Sequence, residues 1–290
     1  MGKKILTIGM ATYDDFDGVY FSIQSLRMYH PITLTSRVEI LVVDNNPKGK
    51  HSKPIKDLKN WIPNLTYVPF EDKTSTSARN EIFNNAKGKY CISMDCHVMF
   101  APNSIEALLD YYDAHEDCKD LIQGPMLYDN LKGYSTHFNP IWGADMYGKW
   151  GKDEENHNKG LAFDIPMMGL GVFSCETKNW LGFNPLFKGF GGEEGYIHEK
   201  FRRNGGRALC LPQLRWLHRF ARPEGVKYPL ILEDRIWNYF VGWLEITQDP
   251  EDQMIKDIYE NFKHRIPQDS LDSILHHAIK ATLNKESQYV

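Results

Sequence analysis

Apolar positions in the first 115 residues fall into short blocks, and the spacing inside successive blocks switches between two kinds. Residues 4–11 (Lys-Ile-Leu-Thr-Ile-Gly-Met-Ala) and 38–43 (Val-Glu-Ile-Leu-Val-Val) are near-continuous apolar runs, the composition of strands covered on both faces. Residues 65–70 and 90–94 are shorter runs of the same kind. Between them, Phe16, Val19, Ile23 and Leu26 recur at helical spacing, with Asp17 as cap and Pro31 as stop. Ala78, Ile82 and Ala86 share a second helical face, which follows the hydroxyl-rich residues 74–77 and ends at Gly88. Asn103 and Glu106 form a capping-box pattern ahead of Ile105, Leu108, Leu109 and Tyr112. Strand alternating with helix predicts an α/β fold, an open and mostly parallel sheet flanked by helices.

The second half is less regular. Residues 121–123 and 169–175 read as strands, and 177–181 as a short helix. Residues 128–160 are rich in Gly, Asn, Asp, Lys, Tyr and Trp without a period, which suits either a solvated insert or a mobile loop beside a site. Gly191-Gly192-Glu193-Glu194 opens a helix carrying Ile197 and Phe201, and residues 207–211 make a further strand. Three helical patterns close the chain, over 231–246, over 254–262, and through Leu271, Ile274, Leu275, Ala278 and Ile279. They predict a C-terminal helical extension, residues 229–290, packed on a domain of residues 1–228.

Composition narrows the class. At 290 residues, 42% hydrophobic and 25% charged, the chain has the make-up of a globular protein able to bury a large core. A net charge of −4 gives no global attraction to nucleic acid or to an anionic membrane. No apolar run approaches the roughly 20 residues that span a bilayer, so no integral membrane segment is expected. Cys91, Cys96, Cys118, Cys175 and Cys210 are odd in number and form no CxxC, the usage of reduced thiols in a reducing compartment. No second Cys/His pair accompanies Cys91, Cys96 and His97, which argues against a structural zinc site.

Candidate chemistry gathers at strand ends. Asp14, Asp44 and Asp95 each stand at the C-terminal end of a predicted strand, where open α/β sheets bind ligands. Asp95-Cys96-His97 places a carboxylate and an imidazole at i and i+2, a pair that converges on one point at a strand end and suits a cation accepting both oxygen and nitrogen, such as Mn²⁺. Taken alone, Asp-x-His is a weak pattern.

The series of motifs is stronger than any one of them. The strand ending at Thr12-Tyr13-Asp14, the Val-Val-Asp44-Asn-Asn strand end, Ser77-Ala78-Arg79-Asn80 and Asp95-Cys96-His97 together resemble the nucleotide-sugar glycosyltransferases of the GT-A class, family 2-like, over roughly residues 4–245. Gly191-Gly192-Glu193-Glu194 and His218-Arg219-Phe220 look most similar to the catalytic domain of the polypeptide N-acetylgalactosaminyltransferases. The resemblance implies a GT-A (Rossmann-like) fold and metal-dependent transfer of a hexosyl or N-acetylhexosaminyl group from a nucleotide-sugar, UDP-linked, to an acceptor hydroxyl. It implies Asp95, His97 and His218 as ligands of Mn²⁺ or Mg²⁺. Thr12, Tyr13, Asp14, Asp44, Arg79, Asp95, Arg219 and Arg222 become the donor-binding set, and Glu193 and Glu194 the catalytic pair. In an inverting enzyme Glu194 would deprotonate the acceptor; in a retaining one Glu193 would contact sugar and acceptor.

This chain departs from that family in showing neither a membrane anchor nor a trailing lectin-like domain, so a cytoplasmic enzyme of bacterial or viral origin is expected. The acceptor stays open among a glycan, a protein, a lipid-linked sugar and a modified nucleic-acid base, and the C-terminal amphipathic helices offer a face for a homodimer. Two other functions fit the same elements. A sugar-nucleotide-forming nucleotidyltransferase usually carries a Gly-rich signature after the first strand, where this chain has Thr12-Tyr13-Asp14. A non-catalytic nucleotide-sugar-binding module would have no need of three metal ligands and two glutamates.

Overall fold

The computed structural model describes residues 4–71, 74–223 and 225–283. Leu6–Thr12 (β1) and Val38–Asp44 (β2) are buried along almost their whole length, as their unbroken apolar sequence requires. Phe16–Tyr29 (α1) lies between them, with Val19, Ile23 and Leu26 turned inward. Its N-cap is Asp15, which accepts the Gly18 N–H at 2.9 Å, so the expected cap, Asp17, instead sits in the first turn. Ser52–Asp57 (α2), Leu65–Pro69 (β3), Ser75–Asn85 (α3) and Tyr90–Asp95 (β4) complete the alternating half.

Val98–Phe100 (β5), Ser104–Ala114 (α4), Leu121–Gln123 (β6) and Met126–Leu127 (β7) follow. The capping box expected on α4 does not form. Asn103 takes a left-handed conformation (φ 65°) and makes no side-chain cap bond, while the Glu106 carboxylate pairs with His30 Nδ1 at 3.0 Å. The aperiodic stretch 128–160 is ordered as Tyr134–Ser135 (β8), a hairpin of His137–Gly143 (β9) and Met146–Gly151 (β10), and Glu154–Lys159 (α5). Its register slips between Tyr147 and Lys149, where Gly148 has φ +133°, which breaks the two-residue alternation.

Phe163–Asp164 (β11), Val172–Glu176 (β12), Glu194–Arg203 (α6), Ala208–Cys210 (β13) and Trp216–His218 (β14) precede the last helices. These are Leu232–Thr247 (α7), Gln253–Phe262 (α8) and Gln268–Leu283 (α9). Tyr239, Phe240, Ile258 and Phe262 belong to one buried apolar cluster with Leu41 and Val43 of β2, so the helices share the core of the sheet's second face. The β9–β10 hairpin leans on the same helices through Trp142, whose ring lies 5.0 Å from Tyr239 and 5.6 Å from Phe262. Among the described residues, no helix is long and apolar enough to cross a membrane.

The main sheet has the order β11-β13-β6-β12-β4-β1-β2-β3. Strands β4, β1, β2 and β3 run parallel, and β12 returns antiparallel beside β4. The chain moves outward from β1 to β2 and β3, then crosses back to lay β4 on the other side of β1. Order therefore reverses between β1 and β4, and a crevice opens beyond their C-terminal ends. Ala11 pairs there with Asp95, and Thr12 with Asp44. A second sheet, β5-β14-β7-β8, sets His218 opposite Val98, one residue beyond His97.

Candidate active site

A cavity of about 280 Å³ opens at this reversal point, with Thr12, Tyr13, Asp15, Arg79, Asp95 and His97 in its walls. Asp95 is the last residue of β4, and His97 follows in the turn to β5. The β14 pairing brings in His218, whose Nε2 lies 3.3 Å from Asp95 Oδ2. Donor atoms of Asp95, His97 and His218 all lie within 4.8 Å of one another. One hard oxygen and two imidazole nitrogens form a donor set that suits Mn²⁺, and His218 Nδ1 is buried without a hydrogen-bond partner among the described residues. Burial alone would raise the Asp95 carboxyl, but the His218 hydrogen bond and the Arg79 charge hold it well below the usual carboxylate range.

Arg79, in the second turn of α3, is almost fully enclosed. Its Nη2 donates to Asp95 Oδ1 at 3.2 Å and its Nη1 to Glu193 Oε1 at 3.1 Å. Both outer nitrogens of this expected diphosphate cation are thus engaged by carboxylates. Glu193 is 1% exposed, and its Oε2 has no partner among the described residues. Gly191 and Gly192 before it have φ +96° and +93°, a conformation that L side chains rarely adopt. Asn238 of α7 clamps this turn, donating to the carbonyls of Lys188 and Gly191 and accepting the Lys188 N–H. Glu194 opens α6, and burial together with the neighbouring Glu193 charge pushes its carboxyl up to about 7.

The chain after β14 folds back over the cavity. Arg219 Nη2 lies 3.1 and 2.9 Å from the two carboxylate oxygens of Asp15. Arg222 Nη2 donates to His97 Nε2 at 2.9 Å, and Lys227 Nζ reaches the Asp14 carbonyl at 3.3 Å. Tyr228 packs edge-on against Tyr13 at 6.4 Å and beside Phe190 at 5.0 Å.

The structure therefore gathers Thr12, Tyr13, Arg79, Asp95, His97, Arg219 and Arg222 around one cavity, with His218 against Asp95 and Glu193 one contact behind Arg79. Asp14 and Asp44 are not in the wall. Asp14 has φ 58°, and its carboxylate accepts the His51 N–H at 3.0 Å. Asp44 is 1% exposed and accepts from the Tyr67 hydroxyl at 2.7 Å and the Asn46 N–H at 3.0 Å. Glu194 is likewise outside the wall, close enough to α7 to feel the Arg235 charge. Asp15, Phe190, Tyr228 and Asn238 belong to this site without a sequence motif to mark them, and only Asp15, next to Asp14 after a predicted strand, carries a signal in the sequence.

A family model, Glycosyl transferase family 2, matches residues 7–169, more than half of the chain. The chain belongs to that family. Solved structures confirm its GT-A fold. A structure of GalNAc-T7 with UDP, GalNAc and Mn²⁺ superposes with a TM-score of 0.66 at 16% identity, over 97% of this chain and 58% of that one. The mannosyltransferase PcManGT of Pyrobaculum calidifontis, solved with GDP-Man and Mn²⁺, gives 0.57 at 13% identity, over 99% of this chain and 77% of that one. TarS of S. aureus with UDP-GlcNAc gives 0.61 at 14% identity, over 96% and 81% respectively. The chain thus spans less than two thirds of the GalNAc-T7 chain. No curated protein sequence matches it.

Proposed function

We propose that this glycosyltransferase moves a hexosyl or N-acetylhexosaminyl group from a UDP-sugar to an acceptor hydroxyl in a metal-dependent reaction. The observation that carries the reading is the convergence of Asp95, His97 and His218 donor atoms within 4.8 Å at the sheet's reversal point. A divalent cation bound there supplies charge neutralisation for the diphosphate that leaves. The solved relatives that hold nucleotides or nucleotide-sugars with Mn²⁺ support the same assignment.

The chain's own groups divide the remaining work. Tyr13 offers a ring to the nucleobase, with Tyr228 beside it and the Thr12 hydroxyl at the end of β1. Asp44 fixes the floor of this region through Asn46 and Tyr67, and Asp14 does so through His51. Arg219 and Arg222 bring guanidinium groups to the diphosphate side and exclude water from it. Arg79 holds the Asp95 and Glu193 carboxylates apart and aligned, which leaves Glu193 Oε2 for a sugar hydroxyl. Glu194, with its carboxyl near neutrality, takes the acceptor hydroxyl proton onto its carboxylate. Residues 1–228 carry this chemistry, and α7 steadies it through Asn238.

The test is nucleotide release from a panel of UDP-, GDP- and CMP-sugars, with Mn²⁺ or with EDTA, comparing the wild type with His97→Ala. Mn²⁺-dependent release from one donor, lost in the variant, is the expected result and identifies the sugar. Nucleotide binding is titrated in the same samples, because release also depends on the acceptor. If Mn²⁺ enhances the binding of no nucleotide, the metal-site assignment fails.

A further inference from the structure

His97 is held from both sides of its ring. Nδ1 lies 3.2 Å from Asp15 Oδ2, and Nε2 lies 2.9 Å from Arg222 Nη2. A guanidinium only donates, so Nε2 carries the lone pair and the single N–H of the neutral ring is on Nδ1, pointed at Asp15. The other acceptor positions of Asp15 are already taken. Oδ1 receives the Gly18 N–H at 2.9 Å and Arg219 at 3.1 Å, and Oδ2 receives Arg219 at 2.9 Å. The Arg219 charge helps keep this carboxylate ionised, so Asp15 accepts from Nδ1 and has no proton to give it.

We propose that Asp15 is a positioning residue that fixes His97 in the Nδ1–H tautomer and so presents Nε2 as the metal-ligating nitrogen. The relay runs from Arg219 through Asp15 to His97, across 204 and then 82 residues of chain. It rests on the reading of Asp95, His97 and His218 as a cation site. A carboxylate behind a ligating imidazole typically governs 10–100-fold in metal affinity.

Asp15→Asn is the discriminating change, because Asn caps a helix as well as Asp does and α1 keeps its start. With the amide oxygen on the Gly18 N–H, the new NH₂ faces Nδ1, and the Nδ1–H tautomer loses the acceptor that holds it against exchange with Nε2–H. The experiment measures Mn²⁺ binding by electron paramagnetic resonance on the nucleotide-free full chain, for wild type, Asp15→Asn and His218→Ala. The ring tautomer of His97 is read by ¹⁵N NMR on the Mn²⁺-free protein. The expected results are an Nδ1–H ring in the wild type, a shift toward Nε2–H in Asp15→Asn, and Mn²⁺ affinity about 10- to 100-fold weaker in that variant. An Nε2–H ring in the wild type overturns the proposal even if the variant fails to fold. Asp15→Asn affinity within about threefold of wild type, while His218→Ala loses binding, overturns it and leaves the cation site standing. Absence of Mn²⁺ binding by the wild type removes the cation site and this inference with it.

Discussion

Replacing Arg79 with Met keeps most of its volume and deletes one charge that two carboxylates share. Glu193 is 1% exposed, and Arg79 is its one charged partner among the described residues. Asp95 is 27% exposed in its side chain and keeps His218. Removing one partner of a buried ion pair costs about 3–5 kcal/mol, since the other charge stays buried without compensation. With one of the two acids partly solvated, the lower end applies, about 3 kcal/mol. An unfolding entropy near 2.1 cal/mol/K per residue gives roughly 0.6 kcal/mol per degree for 290 residues, so the melting temperature falls by about 5 °C. The cost also depends on pH. Asp95 is held well below the ordinary carboxylate range in the folded state, so its contribution is complete above that range and is lost progressively below it, as pH falls toward the folded-state value. Arg79→Met forfeits part of that contribution, so its deficit against wild type is larger at pH 7 than near pH 2.

Urea denaturation at both pH values, with Glu193→Gln and the double variant, measures the effect. The double variant should recover part of the loss, because a neutral amide no longer needs the guanidinium. A deficit below about 1 kcal/mol at pH 7, or one that does not change with pH, would refute the claim that Arg79 is the counter-charge of this site.

Other outcomes follow from the same contacts. Glu194→Gln should lower turnover by about 10²- to 10⁴-fold and abolish the rise of rate with pH through about 7, read from a pH–rate profile. Because folding raises the Glu194 value above the ordinary 4.5, its stabilising share is complete below 4.5 and is lost as pH rises through 7; the glutamine variant should therefore resist urea better than wild type at pH 8. Arg222 uses the same His97 lone pair that a cation must take, so Arg222→Ala should bind Mn²⁺ about fivefold more tightly without nucleotide, the worth of one hydrogen bond near 1 kcal/mol. Titration calorimetry should show the same variant binding a nucleoside diphosphate more weakly. Phe262→Ala opens the fully buried contact beneath Trp142 and Tyr239 and should cost about 3–4 kcal/mol, with faster hydrogen exchange in β9–β10.

What could be read from the sequence depended on how far along the chain the cause of each feature lies. Strands β1, β2 and β4 were legible because burial on both faces writes itself into consecutive residues. Asp95 and His97 were legible as a pair because a strand end brings i and i+2 together. The β9–β10 hairpin was not, since its strands meet solvent, Pro140 and a bulge at Gly148, and gain their packing from Tyr239 and Phe262 about a hundred residues later. The capping box at Asn103 and Glu106 matched its pattern and failed because His30, far away in sequence, claims the glutamate.

The acids after β1 make the same point at the scale of one residue. Asp14 and Asp15 are chemically equal, and the pattern of apolar positions cannot rank them. The left-handed backbone at Asp14 decides, turning its carboxylate onto His51 and leaving Asp15 at the cap of α1, facing His97 and Arg219. By sequence alone Arg79 reads as a cation for a diphosphate, because a helix start suits one. Its surroundings assign it differently: the carboxylates that hold it come from 16 and 114 residues further along. A side chain's chemistry is local, but the charge it must answer is set by whatever the sheet order brings to it. That order reverses between β1 and β4, so in this crevice the residue types can be read locally while their partners are assigned by the fold.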